Sequence, residues 1–182
     1  MGDFWVFGYG SLMWRPDFAH VETRRARLFG FRRALCVTSW VYRGTRERPG
    51  LVLGLDRGGS CVGLAFRVPV ELRDEVIGYL RDRELVTSVY LERYLPVVLN
   101  TGETVEAITY IVDRNHEQYA GRLTEAEAAR IVSGSVGKSG PNEDYVHNTV
   151  EHLLALGIRD HWLEEVGRLA GPVGTGSGRP AE

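Results

Sequence analysis

The chain has 182 residues, of which 43% are hydrophobic and 10% aromatic, a size and composition that favour one compact domain with its own core. Its 22 basic and 24 acidic residues leave a formal net charge of −2, which gives no overall attraction to nucleic acid or to an anionic membrane. A small molecule or another protein is the better candidate partner. The two cysteines, Cys36 and Cys61, form no CxxC pair, and no apolar run reaches membrane-spanning length. These features favour the reducing cytoplasm over export or membrane insertion.

The first predicted element is a buried strand that leads into a glycine-bracketed loop. Residues 4–9 are aromatic and β-branched, which is typical of a strand inside a core. The run ends at Gly8-Tyr9-Gly10-Ser11, where a tight turn is expected because glycine tolerates backbone angles that other residues avoid. A glycine-bracketed loop therefore follows the strand directly.

Three further strands are predicted before residue 70. Residues 26–42 look extended, with a bend at Gly30, and residues 51–55 and 61–68 look like two shorter strands. Between the shorter strands lies Asp56-Arg57-Gly58-Gly59, whose glycines supply the positive φ angles that a hairpin connection needs. Antiparallel pairing is therefore predicted here.

The rest of the chain predicts one helix, two strands and then several helices. Residues 70–84 carry Val76, Ile77 and Leu80 at helical spacing. The other predicted elements are strands over 89–99 and 104–112, a helix that begins at the capping box of Thr124 and Glu127, and helices over 142–156 and 159–169. This order predicts an α+β domain with a mostly antiparallel sheet that can close into a barrel. Residues 171–182 are rich in Gly, Pro and Ser and are predicted to form a flexible C-terminal tail.

Several common functional motifs are present only in incomplete form. Gly8-Tyr9-Gly10 lacks the third glycine of a dinucleotide-binding turn, because Met13 stands at that position. Residues 134–139 mimic a phosphate loop, but the first glycine of the full spacing would fall on Val132, inside a predicted helix. The five histidines form no HExxH motif and no i, i+4 pair, so no local metal site is predicted. A group of arginines, which could recognise phosphate, is interpreted as an ordinary solvated face: Arg24, Arg25, Arg27, Arg32 and Arg33.

Glu84 is the strongest candidate for chemistry. It lies four residues after Leu80 and eight after Val76, on the apolar stripe of its helix, so its carboxylate is expected to face the core. Burial and the carbonyl end of the helix dipole would both raise its pKa, and such a carboxylate suits general acid–base catalysis. Spacing alone leaves open an ion pair with Arg81 or Arg83, or simple exposure at a frayed helix end.

Three segments of the chain match the pattern of a known family. They are Val6-Phe7-Gly8-Tyr9-Gly10-Ser11-Leu12-Met13-Trp14, Tyr79-Leu80-Arg81-Asp82-Arg83-Glu84 and Gly140-Pro141-Asn142-Glu143-Asp144-Tyr145. Together they resemble the ChaC-type γ-glutamylcyclotransferases, and the resemblance covers nearly the whole chain before the tail. One departure follows the glutamate, where some members carry two glycines and a tyrosine and this chain has Leu85-Val86-Thr87-Ser88-Val89-Tyr90.

The resemblance implies a γ-glutamylcyclotransferase-like catalytic domain over residues 1–170, a small β-barrel with flanking helices. It implies cleavage of glutathione to 5-oxoproline and cysteinylglycine without a metal or organic cofactor, with Glu84 transferring the protons. The glutamyl part of glutathione would be held, largely through backbone N–H groups, by Val6, Phe7, Gly8, Tyr9, Gly10 and Ser11. The ring of Tyr9 could instead be part of the core. Other γ-glutamyl peptides or γ-glutamylamines as substrates, and a non-catalytic binding module of the same fold, remain alternatives, and no protein partner is indicated.

Overall fold

The computed structural model describes residues 2–172 of the chain. Within them, seven strands and four α-helices follow one another in an α+β order. The strands are β1 (Phe4–Gly8), β2 (Glu22–Ser39), β3 (Gly50–Val68), β4 (Tyr90–Leu99), β5 (Thr104–Val112), β6 (Val136–Gly137) and β7 (Gly140–Pro141). The helices are α1 (Arg73–Glu84), α2 (Glu125–Val132), α3 (Asn142–Ala155) and α4 (His161–Ala170). The tail predicted over residues 171–182 lies, from residue 173 onward, outside the described residues.

The five longer strands form a closed barrel in the order β1-β3-β2-β4-β5. β1 pairs antiparallel with β3. β4 pairs antiparallel with β5, as expected for two consecutive strands that a short loop connects. The barrel closes through a short parallel pairing of β1 with β5, in which Val6 lies opposite Ile108. The predicted α+β fold with a small, mostly antiparallel barrel is therefore confirmed.

The chain divides into two compact units. The first comprises the residues up to Val37 together with Leu53–Arg122, and it contains β1, α1, β4 and β5 in full. Its core is built where α1 packs on the barrel, because α1 presents Val76, Ile77 and Leu80 on one buried face. The barrel residues of this cluster are Val6, Leu12, Phe66, Val68, Ile108 and Tyr110.

The second unit comprises Thr38–Val52 and the residues from Leu123 on. α2 begins at the predicted capping box, in which Thr124 and Glu127 satisfy each other's backbone N–H groups. Asn142 is fully buried, and its side-chain amide accepts from the N–H of Leu51 at 2.7 Å and donates to the carbonyl of Leu51 at 2.8 Å. Asn142 thereby completes the backbone hydrogen bonding of Leu51 as a neighbouring strand would. None of the helices within residues 2–172 is long and apolar enough to cross a membrane.

The hairpin predicted at Asp56-Arg57-Gly58-Gly59 is wrong, because β3 runs without interruption from Gly50 to Val68. Gly58 and Gly59 do adopt positive φ angles, 104° and 68°, but they lie within a continuous strand and do not reverse the chain. The carboxylate of Asp56 is fully buried and bound by arginines, whereas a surface turn would have exposed it.

Candidate active site

The loop after β1 begins with carbonyl groups that the barrel holds in place. Thr109 of β5 donates its hydroxyl to the carbonyl of Phe7 at 3.1 Å. Arg33 of β2 donates Nε to the carbonyl of Tyr9 at 2.6 Å and a terminal nitrogen to the carbonyl of Val62 at 2.7 Å. These contacts fix the orientation of the peptide groups at the point where the strand ends.

Two of the five arginines predicted to form a solvated face have structural partners instead. Arg33 is only 7% exposed and is bound to backbone carbonyls, and Arg32 forms an ion pair with Asp56 at 3.0 Å. The assignment of these two side chains to a solvated face is therefore wrong. The physical reason is that a guanidinium can be buried when several carbonyl or carboxylate oxygens accept its hydrogens.

A single turn of 3₁₀ helix, Ser11–Met13, follows the loop. The N–H of Met13 donates to the carbonyl of Gly10 at 2.9 Å, and the N–H of Arg15 donates to the carbonyl of Ser11 at 2.8 Å. In the part of the chain that the structure describes, the N–H groups of Gly10, Ser11 and Leu12 donate to no other residue. Successive N–H groups of this kind form a concavity that suits an anion or a polarised carbonyl oxygen.

The side chains of the loop divide between core and surface. Val6 and Phe7 are buried, and so is Tyr9, with 8% of its surface exposed. Their side chains belong to the packing of the barrel unit. Ser11 is exposed, and its hydroxyl accepts a hydrogen bond from Arg83 at 2.8 Å. Of this loop, the backbone and the Ser11 hydroxyl are therefore the groups that can meet a ligand.

Glu84 is the last residue of α1, and its side chain is 18% exposed. One carboxylate oxygen lies 3.6 Å from Nε of Arg83, and no residue within 2–172 donates a hydrogen bond to the carboxylate. Burial raises the pKa of Glu84, and the adjacent Arg83 charge opposes that rise only in part. Arg81 instead pairs with Glu92 through two contacts of 2.9 Å. Among the options left open by the spacing, the ion pair is with Arg83, and the side chain is not simply exposed.

Arg83 joins the two parts of this site. It contacts Glu84 on its own helix and donates to Ser11 in the loop, so the structure brings Ser11 and Glu84 together around one guanidinium. A carboxylate with a raised pKa can accept a proton and give it back near neutral pH. Free N–H groups nearby can stabilise negative charge that develops on a carbonyl oxygen. The arrangement therefore suits acyl transfer that needs proton transfer but no enzyme nucleophile.

The fold of the chain is shared by proteins of known structure. The chain has the fold of a γ-glutamylcyclotransferase specific to glutathione from yeast, with a TM-score of 0.80 and 23% sequence identity over 92% of this chain and 97% of the yeast chain. The family model described as ChaC-like protein matches residues 4–170. The chain therefore belongs to the ChaC-like family.

Characterised relatives share sequence along most of the chain. It is 34% identical over 165 residues to the glutathione-specific γ-glutamylcyclotransferase of Escherichia coli K12, covering 91% of this chain and 71% of that protein. It is 32% identical over 176 residues to the glutathione-specific γ-glutamylcyclotransferase of Schizosaccharomyces pombe, covering 85% of each.

Proposed function

We propose that this chain is a glutathione-specific γ-glutamylcyclotransferase that releases 5-oxoproline and cysteinylglycine. The observation that carries the proposal is a half-buried carboxylate with a raised pKa, Glu84, held beside the glycine-bracketed loop through Arg83. The names of the family relatives at 32–34% identity supply the substrate class. Glu84 and the residues from Val6 to Ser11 are proposed as the groups that act on it.

The reaction needs no nucleophile from the protein, because the substrate carries its own. The α-amine of the γ-glutamyl group attacks the γ-carbonyl carbon and forms the new C–N bond of a five-membered lactam. The bond from that carbon to the cysteine nitrogen breaks, and cysteinylglycine leaves. Holding amine and carbonyl in attack geometry accounts for much of the rate in favourable intramolecular cases, on the order of several kcal/mol.

Glu84 is the group proposed to move protons during this exchange. The α-nitrogen enters as an ammonium and must lose a proton to the Glu84 carboxylate before it can attack. The departing cysteine nitrogen must gain a proton, which the protonated Glu84 returns. The second proton that the attacking nitrogen loses as the lactam forms passes to the released amine, which leaves as an ammonium. A pKa raised by burial makes the carboxylate a better proton acceptor than an exposed glutamate, and its conjugate acid remains able to donate.

The loop is proposed to bind the glutamyl end and the developing oxyanion. The N–H groups of Gly10, Ser11 and Leu12 are available donors, and such donors stabilise a negative oxygen best where water is excluded. Because the Ser11 hydroxyl accepts from Arg83, its own hydrogen can point to a substrate carboxylate. Val6, Phe7 and Tyr9 contribute their backbone and hold the loop in position.

We also propose a domain organisation and a cellular location for the chain. Residues 1–170 are the catalytic domain, and residues 171–182 are a tail that is dispensable for catalysis. Cys36 and Cys61 are buried and are not joined in a disulfide, which fits a protein of the reducing cytoplasm. No nucleic acid, membrane or cofactor has a part in the proposed reaction.

Product analysis tests the function directly. Purified protein is incubated separately with glutathione, γ-glutamylalanine and γ-glutamyl-lysine, and 5-oxoproline and the released amine are quantified by mass spectrometry. We expect 5-oxoproline and cysteinylglycine from glutathione and far less product from the other two compounds. Comparable turnover of all three would replace glutathione specificity with a general cyclotransferase activity. No 5-oxoproline from any of them would favour the non-catalytic binding module and refute the proposal.

A further inference from the structure

Arg83 donates hydrogen bonds to three residues in addition to its contact with the neighbouring Glu84. One terminal nitrogen donates to the carbonyl of Arg15 at 2.7 Å and to the hydroxyl of Tyr79 at 2.8 Å. The other donates to the Ser11 hydroxyl at 2.8 Å, while Nε faces Glu84 at 3.6 Å. With 21% of its side chain exposed, this guanidinium is held largely inside the structure.

The contacts of Arg83 connect two segments that are far apart in the sequence. Ser11 and Arg15 belong to the loop after β1, 72 and 68 residues away, whereas Tyr79 and Glu84 belong to α1. The same loop segment also packs on α1 through Phe18, whose ring lies 6.3 Å from the ring of Tyr79. The planar fork of a guanidinium can bind both segments at once, which the single ammonium of a lysine cannot do with the same geometry.

We propose that Arg83 is a positioning residue of the cyclotransferase reaction, which orients the Ser11 hydroxyl toward substrate and holds the loop after β1 beside Glu84. By donating to the Ser11 oxygen, Arg83 leaves that hydroxyl with its hydrogen as the group it can offer to a ligand. Without Arg83, the Ser11 hydroxyl loses this donor, and the loop loses the hydrogen bonds that Arg83 gives to Ser11 and Arg15. The part of this inference that concerns turnover rests on the proposed function.

The titratable groups near Arg83 and Glu84 lie on α1, on the strands β4 and β5, and in the loop. On α1, the Arg83 charge is the influence that opposes the rise in the pKa of Glu84 caused by burial. On β5, Tyr110 is neutral and hydrogen-bonded to Glu92 of β4, which in turn is bound by Arg81. In the loop, Asp17 lies 3.8 Å from Arg83 and is 62% exposed. Removal of Arg83 leaves the effect of burial on Glu84 without the opposing charge of Arg83, so the pKa of Glu84 should rise further.

The first test measures Glu84 without any turnover. Selective ¹³C labelling of glutamate side chains allows the carboxyl of Glu84 to be titrated by NMR, with Glu84→Gln identifying its signal. We expect the titration of Glu84 to move to higher pH in Arg83→Gln and to stay near the wild-type position in Arg83→Lys, which keeps the charge. Arg81→Gln is the matched control, because it removes a guanidinium from the same helical turn that contacts Glu92 instead of the loop.

The second test separates positioning from charge by kinetics with glutathione. In Arg83→Gln, the acid limb of the pH dependence of kcat should move to higher pH. The value of kcat/KM should fall on the order of 10- to 100-fold, which is the range for the loss of hydrogen bonds from a charged donor. Arg83→Lys should keep the acid limb and still lose kcat/KM, because the fork is gone. Ser11→Ala should raise KM without moving the limb, and adding Arg83→Gln to it should raise KM by less than in the wild-type background.

These outcomes decide the inference even if one variant folds poorly. A thermal melt of each variant comes first, and if Arg83→Gln is unfolded, Arg83→Lys decides, since it must show the loss in kcat/KM with an unshifted limb. An unchanged Glu84 titration in a folded Arg83→Gln, or an equal shift in Arg81→Gln, would overturn the role of Arg83. Wild-type protein that forms no 5-oxoproline would refute the proposed function, while the NMR titration would still test Arg83.

Discussion

A Cβ atom at Gly63 would lie 2.2 Å from the carbonyl oxygen of Gly8, and 2.8 Å from the ring of Phe7. Gly63 belongs to β3 and Gly8 is the last residue of β1, where the loop of the candidate active site begins. The approach of these two backbones is possible only because Gly63 has no side chain. The position of the loop therefore depends on a glycine that lies outside it.

We predict that Gly63→Ala destabilises the protein and lowers its activity together. The new methyl group meets a backbone oxygen, which cannot rotate away, so overpacking should cost about 1–3 kcal/mol of unfolding free energy. Urea denaturation checks the stability, and 5-oxoproline formation checks the activity. Gly78→Ala in α1 is the control: outside its chain neighbours and the backbone of α1 itself, its Cβ would meet no atom within 4 Å, and the substitution should stabilise by about 0.5–1 kcal/mol. Equal stability of the two variants would contradict the close approach.

The fully buried Asp56 is the centre of a second polar cluster in the barrel unit. Its carboxylate accepts from Arg114 at 2.7 Å, from Arg32 at 3.0 Å and from the hydroxyl of Tyr119 at 3.0 Å. Burial by itself would raise the pKa of Asp56, but the hydrogen bonds from Arg114 and Tyr119 outweigh it and hold the pKa below its ordinary value of 3.8. The carboxylate is therefore charged in the folded protein and stabilises two guanidinium groups.

We predict that Asp56→Asn lowers the unfolding free energy by about 3 kcal/mol at neutral pH, near the lower end for breaking a buried pair because Arg114 is 43% exposed. A depressed folded pKa contributes stability above the unfolded pKa that is lost as pH falls through the folded pKa. The difference between wild type and Asp56→Asn should therefore shrink below about pH 3.8. Chemical denaturation at several pH values measures it. Glu22→Gln removes a partly exposed partner of Arg67 and should cost less than about 1 kcal/mol.

The comparison of Asp56 with α1 shows which parts of the fold local sequence can predict. The period of Val76, Ile77 and Leu80 predicts a helix with one buried face, and α1 has that face, because helical spacing is a local property. Gly58 and Gly59 predict positive φ angles correctly. Whether such angles reverse the chain or lie within a continuous strand depends on contacts with distant residues. Here Arg114 binds Asp56, and a contact of this kind leaves no periodic pattern in the sequence.

The candidate site divides in the same way. Glu84 can be found from its place on the helical stripe, and the loop after β1 from its glycines. The roles of Arg33 and Arg83 cannot be predicted from local sequence. Arg33 binds the backbone carbonyl of Tyr9 and Arg83 binds the hydroxyl of Ser11, and each partner is 24 or more residues away. Arginine in a local pattern is most often solvated, so the pattern predicts exposure until the tertiary partners are known.

We predict that Glu84→Gln raises the melting temperature at neutral pH and leaves it nearly unchanged below about pH 4.5, the ordinary pKa of a glutamate. Because burial raises the pKa of Glu84 in the folded state, the folded protein binds the proton more tightly than the unfolded chain does. Stability therefore falls as pH rises from the unfolded pKa through the folded one, and a neutral glutamine escapes this loss. Calorimetric melts across this range measure the effect. A lower melting temperature than wild type at pH 7 would contradict it.

The same variant should end catalysis while it preserves the fold. Glutamine has the length and shape of glutamate, so the packing of α1 should hardly change, but it cannot accept the ammonium proton of the substrate. Loss of a positioned general base costs about 10² to 10⁴ in rate, so kcat for 5-oxoproline formation should fall by that factor while glutathione binding persists in calorimetry.

Asp82→Asn provides the matched control for that experiment. It removes a carboxylate two residues away that is exposed and lies about 200° around the helix from Glu84, since successive residues are spaced by about 100°. We expect it to keep near wild-type kcat, because no contact links Asp82 to the loop within the described residues. If Glu84→Gln still cyclises glutathione at the wild-type rate, or if Asp82→Asn is the inactive variant, then Glu84 is not the proton-transferring group.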